Sequence, residues 1–191
     1  LCFLFAPNFH PILKNVADIR KKIGKRTIFN ILGPLLSPVE CKKQIIGVYH
    51  QKLLIKVATV LKKLGSSFAW VVSGNKEYDE LTTTGMNYIV ETNQGSIKEF
   101  DMDPTELGLE KSEKKDLIGG DSKKNAEIIK GILSGDLLGS KKNIVLLNSA
   151  SALYINGKAK TIKDGIEIAN EIIESGKALK KLDELIELSN S

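Results

Sequence analysis

The 191-residue chain predicts an α/β fold, a largely parallel central sheet flanked by helices. Three observations carry that expectation. Short uninterrupted apolar runs (LCFLFA, QIIGVY, FAWVV) read as strands covered on both faces. Amphipathic stretches with helical spacing alternate with those runs. The C-terminal third is almost entirely of helical pattern, enough to cover a sheet. A hydrophobic content of 42% suffices for one ordinary core, with a second small lobe possible.

Taken in order, Leu1 to Ala6 reads as a buried strand. Pro11 to Ile23 reads as a helix, with proline in its first turn and Gly24 past its end. Arg26 to Leu32 is a short helix stopped by Gly33-Pro34, and Ser37-Pro38 marks a loop. Gln44 to Tyr49 is a strand, followed by a helix from Gln51 to Leu64 closed by Gly65. Phe68 to Val72 is a strand ending at Ser73-Gly74. Tyr88 to Glu91 and Ser96 to Phe100 form a hairpin around Asn93 to Gly95. Gly119-Gly120-Asp121 opens a helix over Ser122 to Leu133. Further helices span Asn143 to Ile155, Ile162 to Glu174 and Lys177 to Leu188.

Charge and composition narrow the function. Net charge is +5, yet only two of the 28 basic residues are arginine, Arg20 and Arg26. Most lysines sit beside acids on helical faces, and no arginine-aromatic stripe suggests nucleic acid. No apolar run reaches the ~18 residues of a membrane span. The opening apolar run is short, has no basic residue before it and leads into Pro7-Asn8, which argues against a signal peptide. Cys2 and Cys41 form no CxxC pattern, so a reducing, cytoplasmic compartment is the expectation.

Four stretches could carry chemistry. On a helix over Pro11 to Ile23, Ile12, Val16, Ile19 and Ile23 form an apolar stripe. His10, Leu13, Ala17 and Arg20 form a neighbouring line, with His10 and Arg20 roughly 15 Å apart along the axis. A small planar acid could lie there with its carboxylate on the Arg20 fork. Spacing alone favours a plainer reading, in which Asn8 or the loop caps the helix, His10 fills a corner and Arg20 pairs with a surface acid. In SGNKEYDE, Asp79 and Glu80 are adjacent carboxylates beyond a strong strand, at the sheet edge where ligands of open α/β sheets bind. They suit Mg²⁺ on a substrate phosphate, or are simply an exposed acidic loop. In GGDSKKNA, Asp121 is an N-cap whose charge would repel a phosphate. In NILGPLLSP, Gly33 is a helix stop or a point of close approach.

Together these segments resemble anthranilate phosphoribosyltransferase. FLFAPNFHP, the Lys14-Asn15-Val16…Ile19-Arg20 helix, GKRTIFNILGPL, QIIGVY, YDEL, GGD followed by NA, and LLNSASALYINGKA follow that family's order and spacing. The resemblance spans nearly the whole chain but only the family's C-terminal part. It implies transfer of a phosphoribosyl group from phosphoribosyl pyrophosphate to anthranilate, with Mg²⁺, in a cytoplasmic homodimer that needs neither nucleic acid nor membrane. It implies that Arg20 holds the anthranilate carboxylate, that His10 and Gly33 line its channel with Ala6, Asn8 and Leu13 nearby, and that Asp79 and Glu80 hold Mg²⁺ on the pyrophosphate. It assigns residues 26–43 to a remnant of the family's helical domain, and it implies no covalent catalyst. Ser37 and Ser73 depart from the family's usual Asn and frequent His. The competing classes are a non-catalytic α/β domain binding an acidic metabolite or a partner, and a paralogue acting on another aromatic acid or on nucleic acid.

Overall fold

The computed structural model describes residues 4–25 and 27–190. Residues 1–3, 26 and 191, and the side chains of Ala6, Leu13, Lys14, Ala17 and Arg20, lie outside the described residues. The chain divides into two compact units, one ending at Cys41 and the other beginning at Lys42.

The first unit is helical: α1 (Ala6–Phe9), a 3-10 run (Pro11–Val16), α2 (Ala17–Ile23) and α3 (Phe29–Leu35). Three expectations are corrected here. The strand from Leu1 to Ala6 is not formed by its described part, because Leu4 and Phe5 are irregular and Ala6 begins α1. Pro7 is the reason: it needs no N–H partner and its φ suits a first helical turn. The Asn8 N–H closes that turn on the Phe5 carbonyl at 2.9 Å. The single α-helix from Pro11 to Ile23 is instead 3-10 up to Val16. Asn15 and Val16 are poor helix formers, and a 3-10 run needs fewer residues in register. The short helix also runs on through Gly33-Pro34 to Leu35. A proline there, near the helix end, removes a single N–H donor. The apolar stripe is not a buried one: Ile12, Ile19 and Ile23 are 73%, 56% and 48% exposed.

The second unit is built on a four-stranded sheet in the order β1 (Lys43–Gly47), β2 (Phe68–Gly74), β3 (Asn87–Asn93), β4 (Ser96–Met102). The α/β class holds, but the described sheet is mixed: β1 and β2 are parallel, and the other two pairs are antiparallel. The parallel pair is joined by α4 (Leu54–Lys63), which follows a 3-10 turn over Gln51–Leu53 capped by His50, whose Nδ1 accepts the Lys52 N–H at 3.2 Å. The antiparallel hairpin turns on Gln94 and Gly95, with φ of 46° and 85°. Positive φ at both turn residues matches the twist of the flanking strands. Four helices follow: α5 (Ser122–Leu133), α6 (Ser140–Ile155), α7 (Ile162–Glu174) and α8 (Lys177–Asn190). Asp121 caps α5 through the Lys124 N–H at 2.8 Å, and Thr161 with Asp164 forms a reciprocal cap on α7. No helix among the described residues is long and apolar enough to cross a membrane.

Strand β2 is the spine of this unit, buried from Ala69 to Gly74. Alternation sends Trp70 and Val72 to one face, where they pack with Leu81, Ile89, Leu147 and Ile155. Phe100 and Tyr154 lie against the Trp70 indole at centroid distances of 5.4 and 5.5 Å. The indole N–H donates to Glu91, its cross-strand partner, at 2.9 Å, so the ring is buried without losing its hydrogen bond. A smaller cluster (Ile132, Leu146, Ala169, Ile173) ties α5, α6 and α7 together.

Both parallel strands end in glycine, and each end is covered by the backbone of the loop beyond β2. A Cβ on Gly47 would lie 1.5 Å from the Asp79 carbonyl oxygen. A Cβ on Gly74 would lie 2.4 Å from the Glu80 carbonyl oxygen. Backbone on backbone cannot yield as a side-chain tip can, so only glycine fits. Gly47→Ala should therefore cost about 1–3 kcal/mol or more in urea unfolding followed by the fluorescence of Trp70. Gly33→Ala, with no described atom within 4 Å of the new methyl apart from its chain neighbours and its own helix backbone, should leave that transition unchanged. Equal midpoints for the two variants would show that the Asp79 carbonyl is not seated on Gly47.

Candidate active site

Asp79 and Glu80 lie beyond the carboxyl ends of β1 and β2, the edge at which open α/β sheets bind ligands. The loop leaves β2 through Asn75 and Lys76, both at positive φ (44° and 62°). This left-handed pair reverses the chain. Tyr78 then bonds back to Gly74 in both directions, N–H to carbonyl, at 2.9 Å each way. The next two carbonyls rest on Gly47 and Gly74. Beyond them, Leu81 is gripped by Asn148 of α6: its N–H donates to Asn148 Oδ1 at 3.2 Å, and its carbonyl accepts from Asn148 Nδ2 at 2.8 Å. Thr82 is gripped in the same way by Asn87 of β3, at 2.7 and 2.9 Å. Every residue from Tyr78 to Thr82 is thus fixed through its backbone, while the Asp79 and Glu80 side chains remain exposed to solvent at one edge.

The electrostatics of the pair are unfavourable when it is alone. Partial burial raises the Glu80 pKa above its ordinary value, and the Asp79 carboxylate raises it further. Two such carboxylates present oxygen ligands to a hard cation. Among the described residues no group of three or more His, Cys, Asp or Glu could hold a metal, so water or a ligand would have to complete the shell. Glu80 also walls a cavity of about 400 Å³ between α5 and α6, lined by Leu117, Ile129, Lys141 and Ile144 among others. The Lys141 ammonium is committed to the Asp116 and Ile118 carbonyls at 2.6 and 2.7 Å, which anchors the loop before α5. In GGDSKKNA, Asn125 Oδ1 accepts the Gly120 N–H at 2.8 Å and Nδ2 donates to the Gly120 carbonyl at 3.0 Å. That segment is a built helix entry, with Asp121 occupying the end of α5.

The other candidate residues lie in the first unit. Asn8 is exposed at the end of α1, His10 is half-buried between α1 and the 3-10 run, and Gly33 is exposed in α3. Ala6, Leu13 and Arg20 belong to α1, the 3-10 run and α2, and their side chains lie outside the described residues. The 3-10 geometry alters the spacing argument. A 3-10 run rises about 2.0 Å per residue with about three residues per turn, against about 1.5 Å and 3.6 in an α-helix. A 3, 4, 3 spacing then no longer implies one α-helical face. The acidic pair and the His10–Arg20 segment belong to different units.

Sequence reasoning did not single out Gly47, Asn87, Asn125 or Asn148. Gly47 sits inside an apolar run and gives no turn signal. Asn148 is 67 residues from the loop it holds, and nothing in spacing names its partner. Asn87 stands at the first position of a strand, where the available signal was a residue type rare in strand interiors.

Comparison with known proteins agrees with this architecture. Anthranilate phosphoribosyltransferase of Methanobrevibacter smithii is 45% identical over 191 residues, covering 100% of this chain and 57% of that protein. The Saccharomyces cerevisiae anthranilate phosphoribosyltransferase in complex with 4-fluoroanthranilate superposes with a TM-score of 0.89 at 34% identity, over 98% of this chain and 54% of that one. The same yeast enzyme in complex with PRPP and Mg superposes with a TM-score of 0.82 at 32% identity, over 92% and 50%. The chain spans little more than half the length of these relatives. Residues 1–179 match the glycosyl transferase family, a/b domain, and the chain belongs to that family.

Proposed function

We propose that the chain is the C-terminal part of an anthranilate phosphoribosyltransferase. The reaction joins anthranilate to phosphoribosyl pyrophosphate and releases pyrophosphate, a step of tryptophan biosynthesis. One observation carries the reading: the Asp79–Glu80 pair, backbone-fixed at the carboxyl edge of the parallel strands. It is supported by relatives that bear this name and by a solved neighbour described with PRPP and Mg.

The pair suits Mg²⁺. Burial and mutual repulsion destabilise the charged state of Glu80, and a divalent cation would relieve both. Two carboxylates, with no third among the described residues, fit a metal that takes its remaining ligands from water and substrate phosphate. When bound, Mg²⁺ would neutralise charge on the departing pyrophosphate. The chain's own residues bind and orient. Asp79 and Glu80 hold the donor end, and Arg20 presents a planar fork to the anthranilate carboxylate. His10 and Gly33, with Ala6, Asn8 and Leu13, border the acceptor. Displacement at an anomeric carbon needs positioning and a stabilised leaving group, not a covalent nucleophile.

In this reading the 191 residues are incomplete as an enzyme and do not catalyse the transfer alone. Residues 26–43 belong to the family's helical domain, and the whole enzyme is a cytoplasmic homodimer.

Two measurements test the proposal. In the enzyme completed with its N-terminal part, Arg20→Lys keeps the charge and loses the bidentate fork. A charge-assisted hydrogen bond is worth about 1.5–3 kcal/mol, so kcat/KM for anthranilate should fall about 10- to 100-fold, with little change in the KM for phosphoribosyl pyrophosphate. An equal loss for both substrates would make Arg20 structural, and no loss would remove it from the site. The second measurement uses the chain alone. The raised Glu80 pKa means that its ionised form weakens the fold, a penalty absent well below 4.5 and complete once pH has passed the raised value. Glu80→Gln should therefore raise the melting temperature at pH 7 and lose that advantage in acid. Mg²⁺ with pyrophosphate should narrow the gap at pH 7. A gap indifferent to both pH and Mg²⁺ would contradict the metal role.

A further inference from the structure

We propose that Asn148 and Asn87 are positioning residues for the Asp79–Glu80 pair, holding the two carboxylates in a geometry they would not keep unaided. The inference rests on the reading of that pair as the Mg²⁺-pyrophosphate site. Each asparagine devotes both ends of its amide to one loop residue, as a neighbouring strand would. Asn148 accepts from and donates to Leu81, and Asn87 accepts from and donates to Thr82. Asn148 stands on α6 and Asn87 on β3, so two separate elements hold consecutive residues of the loop. Both grips have an anchor of their own. Asn148 Nδ2 also donates to the Ile144 carbonyl at 2.9 Å, and the fully buried Asn87 also donates to the Met102 carbonyl at 3.3 Å.

The placement argues for more than a tidy loop. The clamp begins at the residue after Glu80. On the other side, Tyr78 is tied to Gly74. Between these ties stand two exposed acids that repel each other. Without those ties the loop backbone would no longer fix where the two acids stand. Outer partners that orient metal ligands typically contribute 10- to 100-fold to affinity. Asn148 is the more informative of the two, because it is only half-buried and reaches the loop from a separate helix.

The test is NMR on the 191-residue chain, comparing the parent with Asn148→Ala and Asn148→Asp. The aspartate variant keeps an acceptor for the Leu81 N–H and loses both donated bonds, so it serves if the alanine variant folds poorly. Three quantities are read: amide exchange along β2, β3 and Leu81; backbone order at Asp79 and Glu80; and the Mn²⁺ concentration, with pyrophosphate present, that broadens those two amides. In Asn148→Ala, exchange at Leu81 should rise about 10-fold while Val72 and Ile89 keep their protection. Order should fall at Asp79 and Glu80, and about 10-fold more Mn²⁺ should be needed. Release of Leu81 with unchanged order and Mn²⁺ response would overturn the inference. So would a uniform rise in exchange across β2 and β3 in both variants, which would assign Asn148 to general stability. If the parent shows no Mn²⁺ broadening at residues 79 and 80 but Asn148→Ala still loosens them, the metal reading fails and the positioning role stands.

Discussion

The Asp79 carbonyl lies against Gly47 in space that any Cβ would fill, and the Glu80 carbonyl does the same at Gly74. These two contacts bring the acidic pair down onto the ends of the parallel strands. They join the core to the site: β2 must be buried on both faces to hold Gly74 still, and β1 must run parallel to it to bring Gly47 alongside. The loop between cannot choose a different exit, because Asn75 and Lys76 have already adopted the left-handed conformation that reverses it. Site and scaffold are therefore one construction, in which backbone contacts do the placing and the carboxylates are left free.

Much of the second unit was legible in the amino acids. The helices beginning at Ser122 and Ile162 have sharp signals, an acidic or hydroxyl cap followed by helical spacing, and the structure shows those caps made. The hairpin was legible because Gly95 and its neighbours could hardly be anything but a turn. The direction of β3 relative to β2 was not, since an apolar run looks the same in parallel and antiparallel neighbours. The first unit was read less well. Pro7 looked like the end of a strand and is part of a helical turn, while Pro34 looked like a stop and lies inside α3. Proline marks a constraint on φ and a missing donor. Whether that starts, ends or merely interrupts a helix depends on the residues around it.

The acidic pair itself stood out from its position after a strong strand, but the groups that hold it did not. Among the described residues, asparagine amides grip single loop residues at Leu81, Thr82 and Gly120. This is an economical way to fix irregular backbone, since one side chain satisfies a donor and an acceptor that would otherwise be orphaned. It leaves no periodic trace in a sequence. The chain matches little more than half the length of its relatives, and its family membership rests on nearly all of its own residues.

In the proposed function a rigid backbone presents Asp79 and Glu80 to a divalent cation bridging to pyrophosphate. Crystals of the chain grown with Mn²⁺ and pyrophosphate, measured at the manganese edge, test it most directly. The expected result is an anomalous peak at roughly 2.1 Å from carboxylate oxygens of Asp79 and Glu80, with diphosphate density completing the shell and the two loop carbonyls still on Gly47 and Gly74. An anomalous peak only elsewhere, or a loop lifted off those glycines with the acids apart, would contradict it.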